Sequence, residues 1–433
     1  MDKVTSTPTI LIINFHSTRN AGDFALLLST RQLLVGAFGN PHIIVSANWP
    51  GEEAYAQQGI EVVPSLWALA GVSRNGRVGK QIWLLMTNYL RIAWSGKKRA
   101  LQKENTVDAE WKKLHDAYVQ TDLVVGVPGN QFYSSGKHGW PFPATFSAVS
   151  LANSFKKPLY IMPQSIGPLH RWWERVLLKK GYSKARRVYL RDNKSLQLSS
   201  SIGLDQTIVE YAPDPAFGLR AEPDQTARDL LKTRGVKDDK PRLGVTVIAP
   251  MGHSLVASEV ENYYRTVTGV LEQFLTTYDA QVVVFNQVSG PTEAENDGMA
   301  AHEICLELQQ KTLDIVHIDE ALPPALLKAC YGQMDAFLAS RLHSGIFSLG
   351  MGVPTLFIGY LSKTRGLLES IGLDQHVIDI KDLTQEKLWD KLRLIWSGRD
   401  QERKIIEAKL PEILEACQGP AEWIKKDFYR ERQ

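Results

Sequence analysis

The sequence predicts an α/β protein with two doubly wound domains, and three observations support that fold class. Short aliphatic runs alternate with longer segments of helical periodicity, which is typical of parallel sheets buried on both faces. The chain has 433 residues, more than the roughly 250–300 residues that one hydrophobic core accommodates. A polar, charged segment separates two groups of runs. We therefore expect domains at residues 1–220 and 241–433, joined by a linker at 221–240.

The aliphatic runs are the predicted strands. In the first domain they are residues 10–15, 43–45, 123–127, 159–162 and 188–190. In the second domain they are residues 243–248, 282–285, 336–338 and 355–358. Helices are expected between consecutive strands, because parallel strands need crossover connections. The remaining C-terminal helices are assigned to the second domain.

A six-residue string, Ser-Ile-Gly-Leu-Asp-Gln, occurs at residues 201–206 and again at 370–375, each time after a helical stretch. Gly203 and Gly372 therefore stand where helices commonly end in a left-handed backbone conformation. The shared context favours two halves of like architecture. Chance or a common turn requirement explains six residues, so no duplication is inferred.

Composition limits the classes of protein to which the chain can belong. Hydrophobic residues make up 44% of it and charged residues 22%, as in ordinary globular proteins. A net charge of +3 argues against nucleic acid as a partner. The three cysteines have neither disulfide-framework nor metal-ligand spacing, so we expect a cytoplasmic protein without a metal.

Two segments predict contact with a membrane surface. Residues 81–94 are apolar and aromatic but too short to span a bilayer, and they precede a basic cluster at 97–99. Residues 171–187 combine tryptophans with arginines and lysines. Such patterns suit helices lying in an anionic lipid interface, here the inner face of the membrane. The alternative for 81–94 is a helix packed on its own domain.

Arg341 and His343 are the leading candidates for chemistry. They follow the predicted strand 336–338 and precede a helical segment, so they lie at the carboxyl end of a strand, where open α/β sheets bind ligands. Arginine binds carboxylate and phosphate groups, and histidine titrates near neutral pH. The alternative is that Arg341 pairs with a carboxylate between the domains and that His343 only caps the helix.

Further candidates in the second domain also follow strands. Lys363 and Arg365 come after strand 355–358 and would bring positive charge to the same pocket, or else are solvated side chains on a helix. His253 follows strand 243–248 and is expected to face a substrate.

The first domain offers neutral and charged candidates. Gln164 and Ser165 follow strand 159–162 and suit sugar hydroxyls. Arg191 ends strand 188–190 and either contacts an anion or forms an Arg-Asp pair that caps a helix. Asp214 lies in a Pro-Asp-Pro turn that fixes its carboxylate or serves as a hinge.

The loop after the first strand contains Asn20, Gly22 and Asp23. A glycine turn followed by a helix N-terminus makes a ligand-facing loop there, although the spacing is not that of a dinucleotide site. Asp23 is expected either to act as a base on a hydroxyl of a ligand or to cap a helix beginning at Phe24.

Several separated motifs together resemble the polysaccharide pyruvyl transferase family, over roughly residues 14–373. The motifs are residues 20–26, 163–168, 191–192 with Ser195 and Gly203, 212–217, and 340–344 followed by 352–354, Tyr360 and Lys363. One departure is clear. The family usually has a glycine triplet where this chain reads Gly126-Val127-Pro128-Gly129-Asn130, which affects the role expected of that loop and of Asn130.

The resemblance implies a B-type glycosyltransferase fold, with two Rossmann-like domains facing across a cleft. It implies transfer of pyruvate from phosphoenolpyruvate to sugar hydroxyls as a ketal, without a cofactor, on a precursor of an exopolysaccharide or cell-wall polymer. The first domain would hold the saccharide acceptor, with a lipid-linked saccharide as one candidate, and the second would hold phosphoenolpyruvate.

Within the resemblance, His343 would be the general acid and Arg341 would hold the donor anion, with Ser344 in the same motif. Two rival interpretations stay open. One is a glycosyltransferase that uses a nucleotide sugar, and the other is a carbohydrate-binding protein without catalytic activity.

Overall fold

The computed structural model describes residues 7–71, 78–95, 106–135, 139–249, 256–359 and 362–432, with the backbone only at 78–82, 94–95, 106–108, 135 and 362–363. The chain divides into two compact units. Unit 1 comprises Met1–Thr18, Leu26–Pro215 and Ala416–Gln433, and unit 2 comprises Arg19–Ala25 and Ala216–Glu415. The predicted boundaries differ from this division, because residues 19–25 group with unit 2 and the end of the chain groups with unit 1.

The elements up to Tyr211 are, in chain order, β1 (Thr9–Phe15), α1 (Ala21–Phe38), β2 (His42–Ala47), α2 (Ala54–Gln57), β3 (Glu61–Pro64), α3 (Leu66–Leu69), α4 (Val78–Ser95), α5 (Thr106–Gln120), β4 (Leu123–Gly126), β5 (Gly129–Phe132), β6 (Ser134–Ser135), β7 (Trp140–Pro141), α6 (Phe142–Ser154), β8 (Leu159–Ile166), α7 (Trp172–Tyr182), β9 (Arg187–Leu190), α8 (Asn193–Ser201) and β10 (Val209–Tyr211).

The remaining helices and strands are α9 (Asp224–Thr233), β11 (Arg242–Thr246), α10 (Ala257–Thr277), β12 (Gln281–Phe285), α11 (Gly298–Gln310), β13 (Ile315–Ile318), α12 (Pro324–Gly332), β14 (Ala336–Ala339), α13 (Leu342–Gly350), β15 (Thr355–Gly359), α14 (Ser362–Ser370), β16 (Val377–Asp379), α15 (Gln385–Ser397) and α16 (Arg399–Arg430). Short 3₁₀ helices lie at Pro215–Gly218, Glu293–Glu295, Asp374–His376 and Ile380–Asp382.

Each unit contains one parallel sheet. In unit 1 the strand order is β10-β9-β8-β4-β1-β2-β3, and β5 pairs with β8 beyond this path. In unit 2 the order is β13-β12-β11-β14-β15-β16. The central strands are buried throughout, as β4 and β15 illustrate. Helices that connect parallel strands cover the sheet faces, so the prediction of parallel α/β sheets in both halves is confirmed.

All nine predicted strands are present, but the sequence did not reveal the outer ones. The strands at the sheet ends are β3, β10, β13 and β16, and none of them was predicted. Their burial is incomplete; in β10, Glu210 and Tyr211 are exposed. A strand at an edge has one unpaired side and needs no continuous aliphatic run, so the signal that identifies central strands is absent.

The two copies of the six-residue string end helices in the same way. Gly203 has φ +70° and Gly372 has φ +68°, so both predictions of a left-handed cap are confirmed. The amide of the following leucine donates to the carbonyl five residues earlier, from Leu204 to Ser199 (3.0 Å) and from Leu373 to Leu368 (2.8 Å). This is the Schellman arrangement, with the leucine buried beneath the helix end.

No helix in the described part of the chain is both long enough and apolar enough to cross a membrane.

The predicted linker, residues 221–240, is a structured part of unit 2. It contains α9, whose Ala227 and Leu231 are buried, and the Glu222 amide donates to the Ala325 carbonyl at 3.1 Å. The linker prediction was wrong because α9 is amphipathic. Its polar residues face solvent and dominate the composition, while a small apolar face packs against the unit.

Lys328 of α12 secures the chain segment that precedes α9. Its ammonium nitrogen is buried and donates to the carbonyls of Phe217 (2.7 Å), Leu219 (2.9 Å) and Ala216 (3.4 Å). A buried lysine is tolerated when its donors are satisfied in this way.

We expect Lys328→Met to destabilise the protein by about 2–4 kcal/mol, because a side chain of similar length then leaves these buried carbonyls without a donor. Urea unfolding measures the change. Lys232→Met is the control, since Lys232 is exposed on α9 and its loss should change stability by less than about 0.5 kcal/mol. Equal effects of the two substitutions would contradict this assignment.

Candidate active site

The N-terminus of α13 presents the two leading candidates. Arg341 is the N-cap residue, with an extended backbone (φ −110°, ψ 135°), and His343 is the second residue of the helix. Both follow β14, which is buried along its whole length. The structure therefore places them at the carboxyl end of a central strand, as the sequence predicted.

Arg341 forms a forked ion pair with Asp297. Its Nε donates to Oδ2 of Asp297 at 3.0 Å and its Nη2 donates to Oδ1 at 2.5 Å. The carboxylate is fully buried and also accepts the Ala249 amide at 2.7 Å. Burial raises the pKa of the Asp297 carboxyl, and the Arg341 guanidinium opposes that rise. Arg341 thus pairs with a carboxylate of its own unit, whereas the alternative interpretation expected one between the domains. The pairing fixes the direction of its guanidinium.

His343 is held against the start of α1. A Cβ atom built on Gly22 would lie 2.7 Å from Cβ of His343 and still closer to its ring, a separation that real Cβ atoms do not show. Only glycine leaves room for the imidazole at this place. The loop motif of Gly22 and the α13 motif of His343, distant in the sequence, therefore meet within unit 2.

Asn20, and not Asp23, caps α1. Oδ1 of Asn20 accepts the amides of Gly22 (3.0 Å) and Asp23 (3.3 Å), and the helix begins at Ala21. The prediction that Asp23 caps a helix starting at Phe24 was wrong, because the helix starts three residues earlier. Asp23 instead lies within the first turn and is half-buried. The carboxamide oxygen of Asn20 is committed to the protein.

Gln287 was missed by the sequence analysis. Its side chain is 3% exposed, and its Oε1 accepts the Tyr331 hydroxyl at 2.7 Å. Its backbone carbonyl accepts the Ala21 amide at 3.1 Å, which places Gln287 beside the start of α1. Among the described residues, its Nε2 has no hydrogen-bond partner. The sequence contained a weak signal, since Gln287 follows the predicted strand 282–285.

Ser344 is turned into the protein. Its hydroxyl is fully buried, donates to the Arg341 carbonyl at 2.7 Å and lies 2.7 Å from the Thr246 hydroxyl. Its only hydrogen is used inside the protein, so this geometry gives no support to its predicted contact with a substrate.

The remaining candidates of unit 2 add little. Arg365 is exposed on α14, whereas His253 and the side chain of Lys363 lie outside the described residues.

In unit 1, Arg191 is buried and bonds to other residues of the protein. It is 1% exposed, forms an ion pair with the buried carboxylate of Asp214, and donates from Nε to the Ser165 hydroxyl at 2.9 Å. The neighbouring Asp192 caps α8 by accepting the Ser195 amide at 2.8 Å. Asp192 thus caps the helix as the alternative expected, but Arg191 pairs with the distant Asp214 and not with Asp192. These contacts oppose ligand contact by Arg191, Ser165 and Asp214, since their polar atoms are buried and mutually bonded.

Gln164 holds the loop that departs from the family pattern. Its Nε2 donates to the Val127 carbonyl, and its Oε1 accepts the Gln131 amide at 3.2 Å. With only 1% of its surface exposed, Gln164 supports the loop and does not reach solvent. Asn130 is half-buried in this loop, and its Oδ1 is buried without a hydrogen-bond partner among the described residues. Asn130 therefore keeps its place as a candidate for polar contact.

A polar and aromatic cluster that was not predicted lies where β1, β2 and β3 end. Asn48 approaches His16 (Nδ2 to Nδ1, 3.3 Å) and accepts the Ser65 hydroxyl at 2.6 Å. The His16 ring meets Trp67 edge-on at 6.4 Å, and Trp67 lies 4.9 Å from the Trp140 ring. The cluster escaped the sequence analysis because β3, an edge strand, was not recognised.

Asn14 belongs to the same edge of the sheet. Its backbone is left-handed (φ +68°) at the end of β1. Its side chain is 7% exposed, and its Nδ2 has no hydrogen-bond partner in the described part of the chain. A buried amide of this kind is costly unless a ligand or water completes it.

We expect Gly22→Ala to destabilise the protein by about 1–3 kcal/mol, because the added methyl group forces the His343 ring to move. Removing the ring as well, in Gly22→Ala with His343→Ala, should restore most of the loss in urea unfolding. Gly36→Ala on the same helix is the control; it has open space and should be neutral or stabilising by up to about 1 kcal/mol. Additive losses in the double variant would rule out the contact.

We expect Asp297→Ala to cost about 3–5 kcal/mol, since it leaves the Arg341 guanidinium without its buried acceptor. The measurement is again urea unfolding. Asp279→Ala is the matched control in unit 2, because Asp279 pairs with Lys240 while 88% exposed, and such pairs contribute about 1 kcal/mol or less. A similar small loss at both positions would show that the fork is not a structural requirement.

Comparison with known proteins identifies the relatives of the chain. Residues 20–362 match the family model described as polysaccharide pyruvyl transferase. The amylovoran biosynthesis protein AmsJ of Erwinia amylovora is 25% identical over 381 residues, which cover 86% of this chain and 88% of that protein.

Solved structures that resemble the model share its fold at low sequence identity. The MnaA–UDP co-structure from S. aureus has a TM-score of 0.60 at 11% identity, covering 95% of this chain and 94% of that chain. A glycosyltransferase from Rickettsia africae has a TM-score of 0.57 at 14% identity, with coverage of 98% and 99%. UDP-GlcNAc 2-epimerase from Neisseria meningitidis has a TM-score of 0.58 at 10% identity, with coverage of 98% and 100%.

These likenesses show the fold alone, which is the B-type glycosyltransferase architecture that the sequence predicted. The family model spans most of the chain and includes both the loop of Gly22 and the α13 motif of His343. The chain belongs to the polysaccharide pyruvyl transferase family.

Proposed function

We propose that the protein transfers pyruvate from phosphoenolpyruvate to two hydroxyls of a saccharide, forming a cyclic ketal on a precursor of an exopolysaccharide or cell-wall polymer. Family membership supports a transferase of this class. The observation that carries the proposal is the contact between Gly22 and His343. It places the imidazole against the start of the helix that carries Asp23, and Arg341 precedes His343 by two residues.

Arg341 and the amides at the start of α13 would hold the donor. Phosphoenolpyruvate carries a carboxylate and a phosphate, and helix N-termini and arginines are the groups that bind such anions. The fork to Asp297 orients the guanidinium before the donor arrives, which reduces the entropy lost on binding. The buried Nε2 of Gln287 is a further hydrogen-bond donor for the same ligand.

His343 would move the protons. Protonation of the methylene carbon of phosphoenolpyruvate makes its C2 carbon electrophilic, and a sugar hydroxyl attacks that carbon. Loss of phosphate then allows the second hydroxyl to attack the same carbon. The two hydroxyls release two protons; one replaces the proton placed on the methyl group and the other leaves with phosphate. An imidazole can donate the first proton and accept the next, while Asp23, one residue from Gly22, would assist a hydroxyl as base.

The acceptor would meet the carboxyl edge of the sheet in unit 1. Asn14 and Asn130 offer a buried amide nitrogen and a buried amide oxygen that have no hydrogen-bond partner among the described residues, suited to sugar hydroxyls. The half-buried rings of Trp67 and Trp140 suit the apolar face of a sugar. Phosphoenolpyruvate and the buried thiols of the three cysteines are consistent with action in the cytoplasm.

Phosphate release from phosphoenolpyruvate, followed by phosphorus NMR with an extract of lipid-linked oligosaccharides, tests the proposal. We expect acceptor-dependent release by the intact protein and a loss of about 10²–10⁴-fold in His343→Ala, because a proton-transfer catalyst is removed. His302→Ala is the control, since His302 is exposed on α11 and outside the site. Circular dichroism verifies that each variant is folded.

Other outcomes would point elsewhere. Equal rates in His343→Ala and His302→Ala would remove His343 from the mechanism. Absence of phosphate release together with tight binding of a nucleoside diphosphate would favour a nucleotide-sugar glycosyltransferase. Sugar binding without any turnover would favour a carbohydrate-binding protein.

A further inference from the structure

Helices α4 and α7 of unit 1 expose an apolar face that no part of the described chain covers. On α4, Trp83, Met86 and Leu90 are 63%, 59% and 54% exposed. On α7, Trp172 is 77% exposed and Val176 is 53% exposed. Large apolar side chains exposed together commonly mark an interaction surface. These five residues are called the α4–α7 surface below.

The helical spacing shows that the exposed face of α4 is opposite its packed face. Residues 83, 86 and 90 recur at intervals of three and four, which places them on one side of a helix. Leu85 and Ile92 are buried in the core of unit 1, on the opposite side. The side of α4 that faces away from the core is therefore apolar, whereas the outer side of a solvated helix is normally polar.

Helix α6 joins the two parts of the surface, since α4 and α7 both pack against it. The Tyr89 hydroxyl of α4 lies 2.8 Å from the Ser150 hydroxyl of α6. On α7, Gly181 packs against Phe146 of α6 so closely that a Cβ atom there would lie 2.7 Å from the ring.

On the described parts of α4, α6 and α7, the exposed charged side chains are all cations. Arg175, Lys179 and Lys180 of α7 are exposed. Neither α4 nor α6 contains an acidic residue. The one acidic residue of α7, Glu174, is fully buried and accepts the Ser134 hydroxyl at 2.8 Å. Exposed apolar residues beside the exposed cations of α7 are complementary to an interface of acyl chains and anionic headgroups.

We propose that the α4–α7 surface binds an anionic membrane, with the apolar side chains inserted at the headgroup boundary and the cations of α7 on the lipid headgroups. The positive charge argues against a second copy of the chain as the occupant, since a symmetric dimer would bring like charges together. This inference concerns the location of the enzyme and stands independently of the reaction proposed above.

Co-sedimentation of the full-length protein with vesicles tests the proposal. One set contains phosphatidylcholine alone and the other contains about one quarter phosphatidylserine, a headgroup charge sufficient to attract basic proteins. We expect binding to the anionic vesicles at least about tenfold stronger than to the neutral ones, and weaker binding at high salt because the charges are screened. Equal binding to both vesicle types, or none, would overturn the proposal.

Two variants assign the binding to the surface. Trp83→Ser, Met86→Ser and Leu90→Ser combined should lower binding to anionic vesicles about tenfold or more, because the inserting groups are lost. The control combines Met299→Ser and Leu394→Ser, residues of unit 2 that are 69% and 68% exposed, and should bind as the unaltered protein does. Equal losses in both variants would overturn the proposal.

A charge variant separates the electrostatic contribution. Arg175→Gln, Lys179→Gln and Lys180→Gln combined should abolish most of the preference for anionic vesicles while leaving circular dichroism unchanged. Sedimentation of the protein without vesicles is measured in parallel. A dimer that dissociates only in the α4 variant would show that a second copy occupies the surface, and would also overturn the proposal.

Discussion

The arrangement of the candidate site in unit 2 depends on one buried ion pair. The carboxylate of Asp297 accepts hydrogen bonds from Nε and Nη2 of Arg341 and from the Ala249 amide. The Asp297 amide donates to the Val288 carbonyl. Through its carboxylate and its amide, Asp297 thereby ties together the segments that follow β11, β12 and β14. Two charges taken out of water are stable only when each is fully satisfied, so these segments have little freedom to move separately.

Limited space constrains this site as much as charge does. Gly22 allows the His343 ring to lie on the backbone at the start of α1, and Asn20 satisfies the first amides of that helix. Several polar residues that follow strands likewise form their hydrogen bonds within the protein. Hydrogen bonds to other protein groups are formed by Ser344, Gln164 and Arg191. The groups left to meet ligands are correspondingly few, and most of them are held rigidly.

The fold by itself does not determine the reaction. Proteins with this architecture include UDP-GlcNAc 2-epimerases and a glycosyltransferase, and a common fold supports many chemistries through its loops. In the present chain, the strand ends bring the Gly22 loop against the His343 helix. The family match spans both of these segments, and the reaction proposed here assigns a role to each.

The sequence alone determined the central strands, the helix ends at Gly203 and Gly372, and the position of Arg341 and His343 after β14. These follow from local periodicity and local backbone requirements, which a sequence displays directly. Tertiary structure decided which groups meet: Asp297 with Arg341, Gly22 with His343, Tyr331 with Gln287. It also decided the outer strands and the true extent of the units, including the absorption of the predicted linker. Contacts between distant residues leave no periodic signal in a single sequence, because they depend on how whole elements pack.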